Sequence, residues 1–476
     1  MRFEADGLGQ RLREIWFDML KKFKEEKKPI TFDFKKVIKN HLSLQHSNNF
    51  THFLHSYPGK IFAYIPTFVL SVPDICIPDG NVLDPFCGSG TVLLESIIHP
   101  LYKRDAFGIE INPLGRLIAK VKTTVLDPDE LNRAIDNLLK EAKRPRNTEP
   151  LSIPRFKGID FWFSQKSIIR LAKLRALIEE QEDGDIKDFF YVCFSSIIRK
   201  MSNADPFIPP PVKLKIQKYE DSPGKLEYLK RFLKNVENAD AVSLFESRVK
   251  TNSKKVESLC KIEEVRKGKV KARIIWDDAR FMKNGKLGNK GKILRDHAEP
   301  LPSRSINLIL TSPPYLTAQK YLRTQKLELF WLGLLTNEEY SSLAREIIGA
   351  EDVSLIHINL NEELGIQSID SLIKWASKVS TKRAANLFKY FSDMKQALLE
   401  MYRVLKSDGY AIIVVGNNKV LGKYIETYKL LTDLAISVGF KPELIFKDEI
   451  RGRGMITKRH NSGGLIKEEF ILILSK

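Results

Sequence analysis

Asn81-Val82-Leu83-Asp84-Pro85-Phe86-Cys87-Gly88-Ser89-Gly90-Thr91 is the stretch on which the fold turns. A short apolar strand runs into a Gly-rich turn, and an apolar helix follows over Thr91–Ile98. A second strand is expected at residues 106–111. A second helix is expected at 113–121, with Pro113 in its first turn, where a missing N–H does no harm. Strand, helix, strand, helix is the rhythm of an open parallel sheet covered by helices on both faces.

Working outward, the rhythm breaks near Asp127-Pro128. Helical periods follow at 129–142, 165–180 and 189–200. Asp205-Pro206-Phe207-Ile208-Pro209-Pro210-Pro211 cannot be regular structure, because Pro removes donors and fixes φ. A Lys-rich helical stretch then runs to about residue 256. The strand pattern resumes at 270–276, 306–310 and 410–415. A helix over 394–405 feeds the last of these through a turn at Asp408-Gly409. Residues 444–446 and 470–474 read as a closing hairpin. Upstream, residues 8–27 form an amphipathic helix with Leu12, Ile15, Trp16, Met19, Leu20 and Phe23 on one side, and the polar Ser47-Asn48-Asn49 ends this lead-in. The expected units are a helical lead-in (1–50), a first sheet half (51–126), a largely helical insertion (127–264) and a second sheet half (265–476).

The 476 residues carry a formal net charge of +19. About ten of those excess positive charges fall between Lys213 and Pro300, and such unevenness points to a polyanionic partner. The four cysteines are far apart with no Cys-x-x-Cys pair, and the eight histidines form no His-Glu-x-x-His. No metal is therefore expected. No apolar run is long enough to span a bilayer, and the first residues are too polar for a secretory signal, so the cytoplasm is the expected location.

The Gly-rich turn lets a ligand approach the backbone, and the helix behind it offers free N–H groups. Leu93 stands where a dinucleotide fingerprint has its third Gly, and no Gly-Lys-Ser/Thr is present, so neither a pyrophosphate nor a nucleoside triphosphate is indicated. Carboxylates follow three successive strands. Asp84 suits a cationic amino group, Glu110 suits two ribose hydroxyls, and Asp278 suits an adenine amino group. Together they fit a nucleoside with an amino-acid tail.

Asp84-Pro85-Phe86-Cys87-Gly88-Ser89-Gly90-Thr91 resembles the cofactor motif of nucleic-acid amino-methyltransferases. His55-Ser56-Tyr57-Pro58-Gly59-Lys60 and Ile65-Pro66 resemble the segment that covers the methionine end of the cofactor in many DNA methyltransferases. The resemblance implies a Rossmann-like α/β methyltransferase sheet with helices on both faces, plus the basic helical insertion, and S-adenosyl-L-methionine as cofactor. The cofactor-binding residues it implies are Tyr57, Lys60, Asp84, Phe86, Cys87, Gly88, Gly90, Thr91, Glu110, Asp278 and Ala279. It covers residues 55–121 and 271–476. The large insertion ahead of Asp278 departs from the usual motif order.

Thr311-Ser312-Pro313-Pro314-Tyr315 follows the strand at 306–310. Two prolines aim the carbonyls rigidly. An exocyclic base amine is a poor nucleophile, since its lone pair is delocalised into the ring. The Ser312 hydroxyl oxygen and the Pro313 carbonyl are placed to accept its two N–H groups, and the Tyr315 ring to stack on the base. Such a base must first be flipped out of double-stranded DNA. Ser312, Pro313, Pro314 and Tyr315 are thus the expected catalytic set.

Ser-Pro-Pro-Tyr resembles enzymes acting on cytosine N4. Asp or Asn in the first place is more typical of adenine N6, and an RNA amino-methyltransferase is a further alternative. Cytosine C5 chemistry needs a Pro-Cys nucleophile, which the chain lacks. Family resemblance also implies a restriction–modification context with a partner endonuclease encoded nearby. Glu400-Met401-Tyr402-Arg403-Val404-Leu405-Lys406-Ser407-Asp408-Gly409 resembles the helix and turn before the fifth strand of many methyltransferases. Arg199, Lys200 and Ser202 beside the Pro-rich turn, and Arg451, Arg453 and Lys458 before the last strand, are candidate DNA contacts. Residues 127–264, with their continuation to Lys292, are the expected recognition region, and residues 346–378 a second candidate.

Overall fold

Period-two alternation in the last long strands decides which residues meet which layer. Ile412 and Val414 face one side with Ile471 and Ile473, while Ile413 and Val415 face the other with Leu472 and Leu474. The computed structural model describes residues 2–41, 50–144, 151–283, 300–316, 321–350, 353, 358–360, 362–450 and 467–476. The strands are β1 (Ile30–Thr31), β2 (Val82–Asp84), β3 (Ala106–Ile109), β4 (Ala272–Trp276), β5 (Ile306–Thr311), β6 (Leu405–Gly416), β7 (Asn418–Val420), β8 (Lys423–Ile425), β9 (Lys441–Glu449) and β10 (Glu468–Ser475).

Among the described residues, eight of these form one sheet in the order β1-β9-β10-β6-β5-β2-β3-β4. Neighbours are parallel except at β10, which runs antiparallel to both β6 and β9. The chain reverses direction of travel across the sheet between β2 and β5, and ligands of open α/β sheets bind at that switch point.

One face is sealed by the N-terminal helix Arg2–Glu26 and the helix Tyr64–Leu70, with Leu12, Trp16, Phe34 and Phe68 on Val82, Leu308 and Leu310. Trp16 is wholly buried and lies 6.3 Å, centroid to centroid, from Tyr410 and 6.4 Å from Phe446. Truncating such a residue to Ala costs about 3–5 kcal/mol. The lead-in is therefore part of the sheet core. It also supplies β1, two residues long and invisible to any periodicity argument. The helices Thr381–Val404 and Thr427–Val438 seal the other face through Leu387, Met394, Leu398 and Leu431.

The expected closing hairpin is β9 and β10, longer at both ends than the sequence signals. Asp408-Gly409 differs from expectation. It lies inside β6, where Ile306 pairs with Leu405 but Leu308 pairs with Tyr410, so the extra residues are absorbed as a bulge in the ladder. Gly409 is required there because a Cβ would sit 2.8 Å from the Asn307 carbonyl oxygen.

The insertion contains the helices Pro128–Lys143, Gln165–Glu179, Asp185–Ile198, Pro223–Asn238 and Ala241–Cys260. Its core is not self-contained. Leu114, Leu117 and Ile118 of the helix Pro113–Thr123 enter it from one side, and Leu327, Phe330 and Trp331 enter from the segment after β5. Among the described residues no helix is long and apolar enough to cross a membrane, and no group of His, Cys, Asp and Glu is placed to hold a metal ion.

Candidate active site

The two motifs meet at the carboxyl ends of β2 and β5. Asp84 ends β2 and is 3% exposed. Its Oδ1 accepts from Phe86 N at 3.1 Å and from Thr311 Oγ1 at 2.6 Å. Thr311 ends β5, immediately before Ser312. One hydrogen bond therefore ties the Gly-rich turn to the tetrapeptide across 227 residues of sequence. Burial, with Glu110 adding a like charge, pushes the Asp84 carboxyl up to about 7.

The turn itself is held by Glu110. Its Oε2 accepts from Gly88 N and its Oε1 from Asn112 N, both at 2.8 Å. Burial raises its pKa, and these two N–H groups work against that rise. Gly90 has φ of +75°, and a Cβ there would stand 2.9 Å from the Cβ of Ala119, so no other residue fits. Cys87 is buried, its N–H donates to the Ile109 carbonyl at 2.9 Å, and burial holds its thiol far above the ordinary range. Thr91 is buried in the first turn of the helix behind the loop. Phe86 is half-buried against the core.

The segment at residues 55–60 lies over this turn. The Tyr57 ring comes within 3.2 Å of where a Gly88 side chain would begin. Lys60 donates to the carbonyls of His52 (3.1 Å) and His55 (2.9 Å), and burial brings its ammonium down to about 8. It acts as a brace for the covering segment.

The acids after β4 divide their work. Asp278 is gripped by Arg280, Nη2 at 2.6 Å and Nε at 3.0 Å, and Asp393 takes the same guanidinium at 2.8 Å. Burial lowers the pKa of Arg116, and Asp277, the neighbour of Asp278 that sequence reasoning passed over, works against that most, with Glu110 next. Arg116 in turn donates to the carbonyls of Glu110 (2.8 Å) and Ile111 (3.0 Å). Ala279 is buried in the core.

In the tetrapeptide, Ser312 is half-buried and Pro313 buried. The Pro314 carbonyl accepts from Tyr390 Oη at 3.1 Å, and the Leu316 carbonyl accepts from Asn418 Nδ2. Tyr315 is 7% exposed, and its hydroxyl donates to Glu469 Oε1 at 2.9 Å. Glu469 is itself buried, which raises its pKa. Tyr390, Asn418 and Glu469 carry no motif signal. They come from three elements, the helix Thr381–Val404, β7 just after β6, and β10 one strand beyond β6, and only the finished fold brings them together here.

The candidate DNA contacts separate. Ser202 is wholly buried, its hydroxyl donating to Arg199 O at 2.8 Å. The Arg199 guanidinium donates to the carbonyls of Asp205, Ile208 and Pro209, so it holds the Pro-rich turn. Lys200 is exposed, with Arg248 nearby. Arg451, Arg453 and Lys458 lie outside the described residues, as do Ser47-Asn48-Asn49 and residues 284–292.

The residues present fit an S-adenosyl-L-methionine molecule. Glu110 has lone pairs left after its two backbone bonds, and the buried Ser89 Oγ in the Gly-rich turn has no partner among the described residues. The sheet, with its single antiparallel strand and its site at the switch point, has the mostly parallel α/β layout expected of a Rossmann-like methyltransferase sheet.

Similarity to known proteins carries this further. The type II methyltransferase M.MvaI of Kocuria varians is 28% identical over 405 residues, covering 82% of this chain and 81% of its own length. M.AvaI of Nostoc sp. is 28% identical over 152 residues, which is 29% of this chain and 31% of that protein. M.MjaII of Methanocaldococcus jannaschii is 27% identical over 144 residues, or 29% and 25%. These relatives support a DNA methyltransferase family for the chain, and with it S-adenosyl-L-methionine as cofactor. No protein-family model matches. The solved rRNA methyltransferase aviRa of Streptomyces viridochromogenes overlaps 91% of this chain and 93% of its own at 10% identity, but a TM-score of 0.30 is too loose to carry weight.

Proposed function

We propose that the chain transfers a methyl group from S-adenosyl-L-methionine to the exocyclic N4 amine of a cytosine flipped out of duplex DNA, as the modification enzyme of a cytoplasmic restriction–modification system. The observation that carries this is the 2.6 Å bond between Asp84 and Thr311, which holds cofactor turn and tetrapeptide side by side. S-adenosyl-L-methionine supplies an electrophilic methyl group. The Ser312 hydroxyl oxygen and the Pro313 carbonyl accept the two N–H groups of the amine and draw its nitrogen toward tetrahedral geometry. Tyr390 and Asn418 occupy the carbonyls of Pro314 and Leu316, and that of Pro313 is assigned to the substrate. Tyr315, tethered to Glu469, gives the base a wall that does not swing. With both partners fixed, alignment supplies most of the acceleration. The type II relatives support DNA as substrate, and Ser312 favours cytosine N4.

The test is transfer of labelled methyl to duplex DNA, followed by separation of the modified nucleosides. N4-methylcytosine is expected, with Ser312→Ala slowing transfer about a hundredfold. N6-methyladenine as product would replace the cytosine reading. Transfer to tRNA or rRNA but not to DNA would replace the DNA reading.

A further inference from the structure

Beyond the helix Asp185–Ile198 and the turn Arg199–Met201, the chain doubles back on itself. Asp205 N donates to Val212 O at 2.8 Å, Leu214 N donates to Asn203 O at 3.0 Å, and Ala204 bridges to Lys213. The tip is Asp205-Pro206-Phe207-Ile208-Pro209-Pro210-Pro211. It is unusually well braced for a loop. Arg199 takes three of its carbonyls from inside. Asp205, 1% exposed, accepts from Phe207 N at 2.9 Å and from Tyr219 Oη at 2.6 Å.

What this bracing displays is an aromatic surface. Phe207 is 39% exposed and Tyr228 50%, with ring centroids 5.3 Å apart. Lys225 Nζ lies 5.9 Å from the Phe207 centroid. At the base of the same hairpin, where Asn203 N donates to Trp162 O at 2.7 Å, Phe161, 47% exposed, has Lys213 Nζ 4.3 Å from its centroid. Rigid flat rings interleaved with ammonium groups offer stacking and charge together, which matches a polyanion with apolar faces. The helical charge excess has the same sign.

The tip is also joined to the catalytic edge. Burial lowers the Arg199 pKa, and nearby buried Glu328 works against that; Glu328 sits on the helix Lys326–Trp331, whose N-cap is Gln325. Gln325 Oε1 accepts from Asn112 Nδ2 at 2.5 Å, two residues from Glu110.

We propose that the Phe207–Tyr228 face, with Lys225 and the Phe161–Lys213 pair, docks the DNA beside the target base, the rings on sugar or base faces and the lysines on phosphates. This rests on the reading of the chain as a DNA methyltransferase. The experiment measures duplex affinity across a salt series, together with S-adenosylhomocysteine affinity and Tm. Phe207→Ala is expected to weaken duplex binding about tenfold with the salt slope unchanged, and Phe207→Trp to restore it. Lys225→Ala is expected to lower the slope by about one phosphate contact. Cofactor affinity should not move in any of the three. Lys225 is exposed and outside the braced turn, so it decides the matter even where Phe207→Ala loosens the tip. Wild-type affinity and slope in both alanine variants, while the wild-type protein still methylates DNA, would overturn the docking face and leave the function standing. A wild-type protein that neither binds nor methylates duplex DNA would overturn both.

Discussion

The tripeptide Asp-Pro-Phe occurs at residues 84–86 and again at 205–207, and the two copies use one local device for opposite ends. In each, a buried Asp accepts from the N–H of the Phe two residues on and from a hydroxyl far away, Thr311 in one case and Tyr219 in the other. Pro in the middle keeps the turn narrow. The surroundings differ. Around Asp84 no cation among the described residues contributes, burial dominates, and the Phe86 ring packs back into the core. Around Asp205 the Arg199 guanidinium braces the backbone, and the Phe207 ring is turned outward. The same turn thus ties the Gly-rich loop to the tetrapeptide in one place and presents a ring to solvent in the other. A motif read from residue types does not reveal which.

The comparison breaks most sharply if the two aspartates are exchanged for alanine. Asp84→Ala should slow methyl transfer about a hundredfold, since the turn and the tetrapeptide lose their common anchor and small misplacements of reacting groups have effects of that size. Asp205→Ala should leave cofactor affinity intact and weaken duplex affinity instead. Single-turnover rates and binding isotherms separate the two, and equal losses in both variants would erase the distinction.

A smaller effect is expected at Glu469. Glu469→Ala strands the Tyr315 hydroxyl in a buried position and should lower kcat roughly tenfold with little change in KM, the size expected when one buried partner is removed. Glu469→Gln keeps an acceptor and should recover most of the rate. A change confined to Tm in both variants would reduce Glu469 to a packing residue.

The smallest effect concerns acid. An aspartate in the unfolded chain titrates near about 3.9, whereas Asp84 is pushed up to about 7. The folded protein therefore holds a proton that the unfolded chain releases between those values. This contribution to stability is full below about pH 4, declines as pH rises toward 7, and changes no further above it. Asp84→Asn removes the titration while keeping an oxygen for Thr311, so its Tm should fall less between pH 4 and 7 than that of the wild type. Parallel profiles would show that the carboxyl titrates elsewhere.

Much of this was legible beforehand because it is local. Val82–Asp84, Thr91–Ile98 and Pro113–Thr123 announce themselves through Gly, Pro and apolar spacing, and the tetrapeptide through its two prolines. The supports are not local. Tyr390, Asn418 and Glu469 are ordinary residues until a helix, a short strand and the last strand of the sheet bring them to residues 314–316. Asp277 and Asp278 look interchangeable in sequence, and only Arg280 and Arg116 tell them apart. Arg199 and Ser202 read as surface residues because polar types usually are, yet Arg199 turns to carbonyls of a turn in which four prolines remove N–H donors, and Ser202 donates to the Arg199 carbonyl.

The placement of β10 has a consequence for biosynthesis. This strand leaves the ribosome more than 150 residues after Tyr315, yet it must slide between β6 and β9 before Glu469 can reach the tyrosine hydroxyl. Contacts so distant along the chain form late. A nascent chain carries both motifs long before it has a finished site, and termination anywhere upstream of β10 leaves the Tyr315 hydroxyl without Glu469.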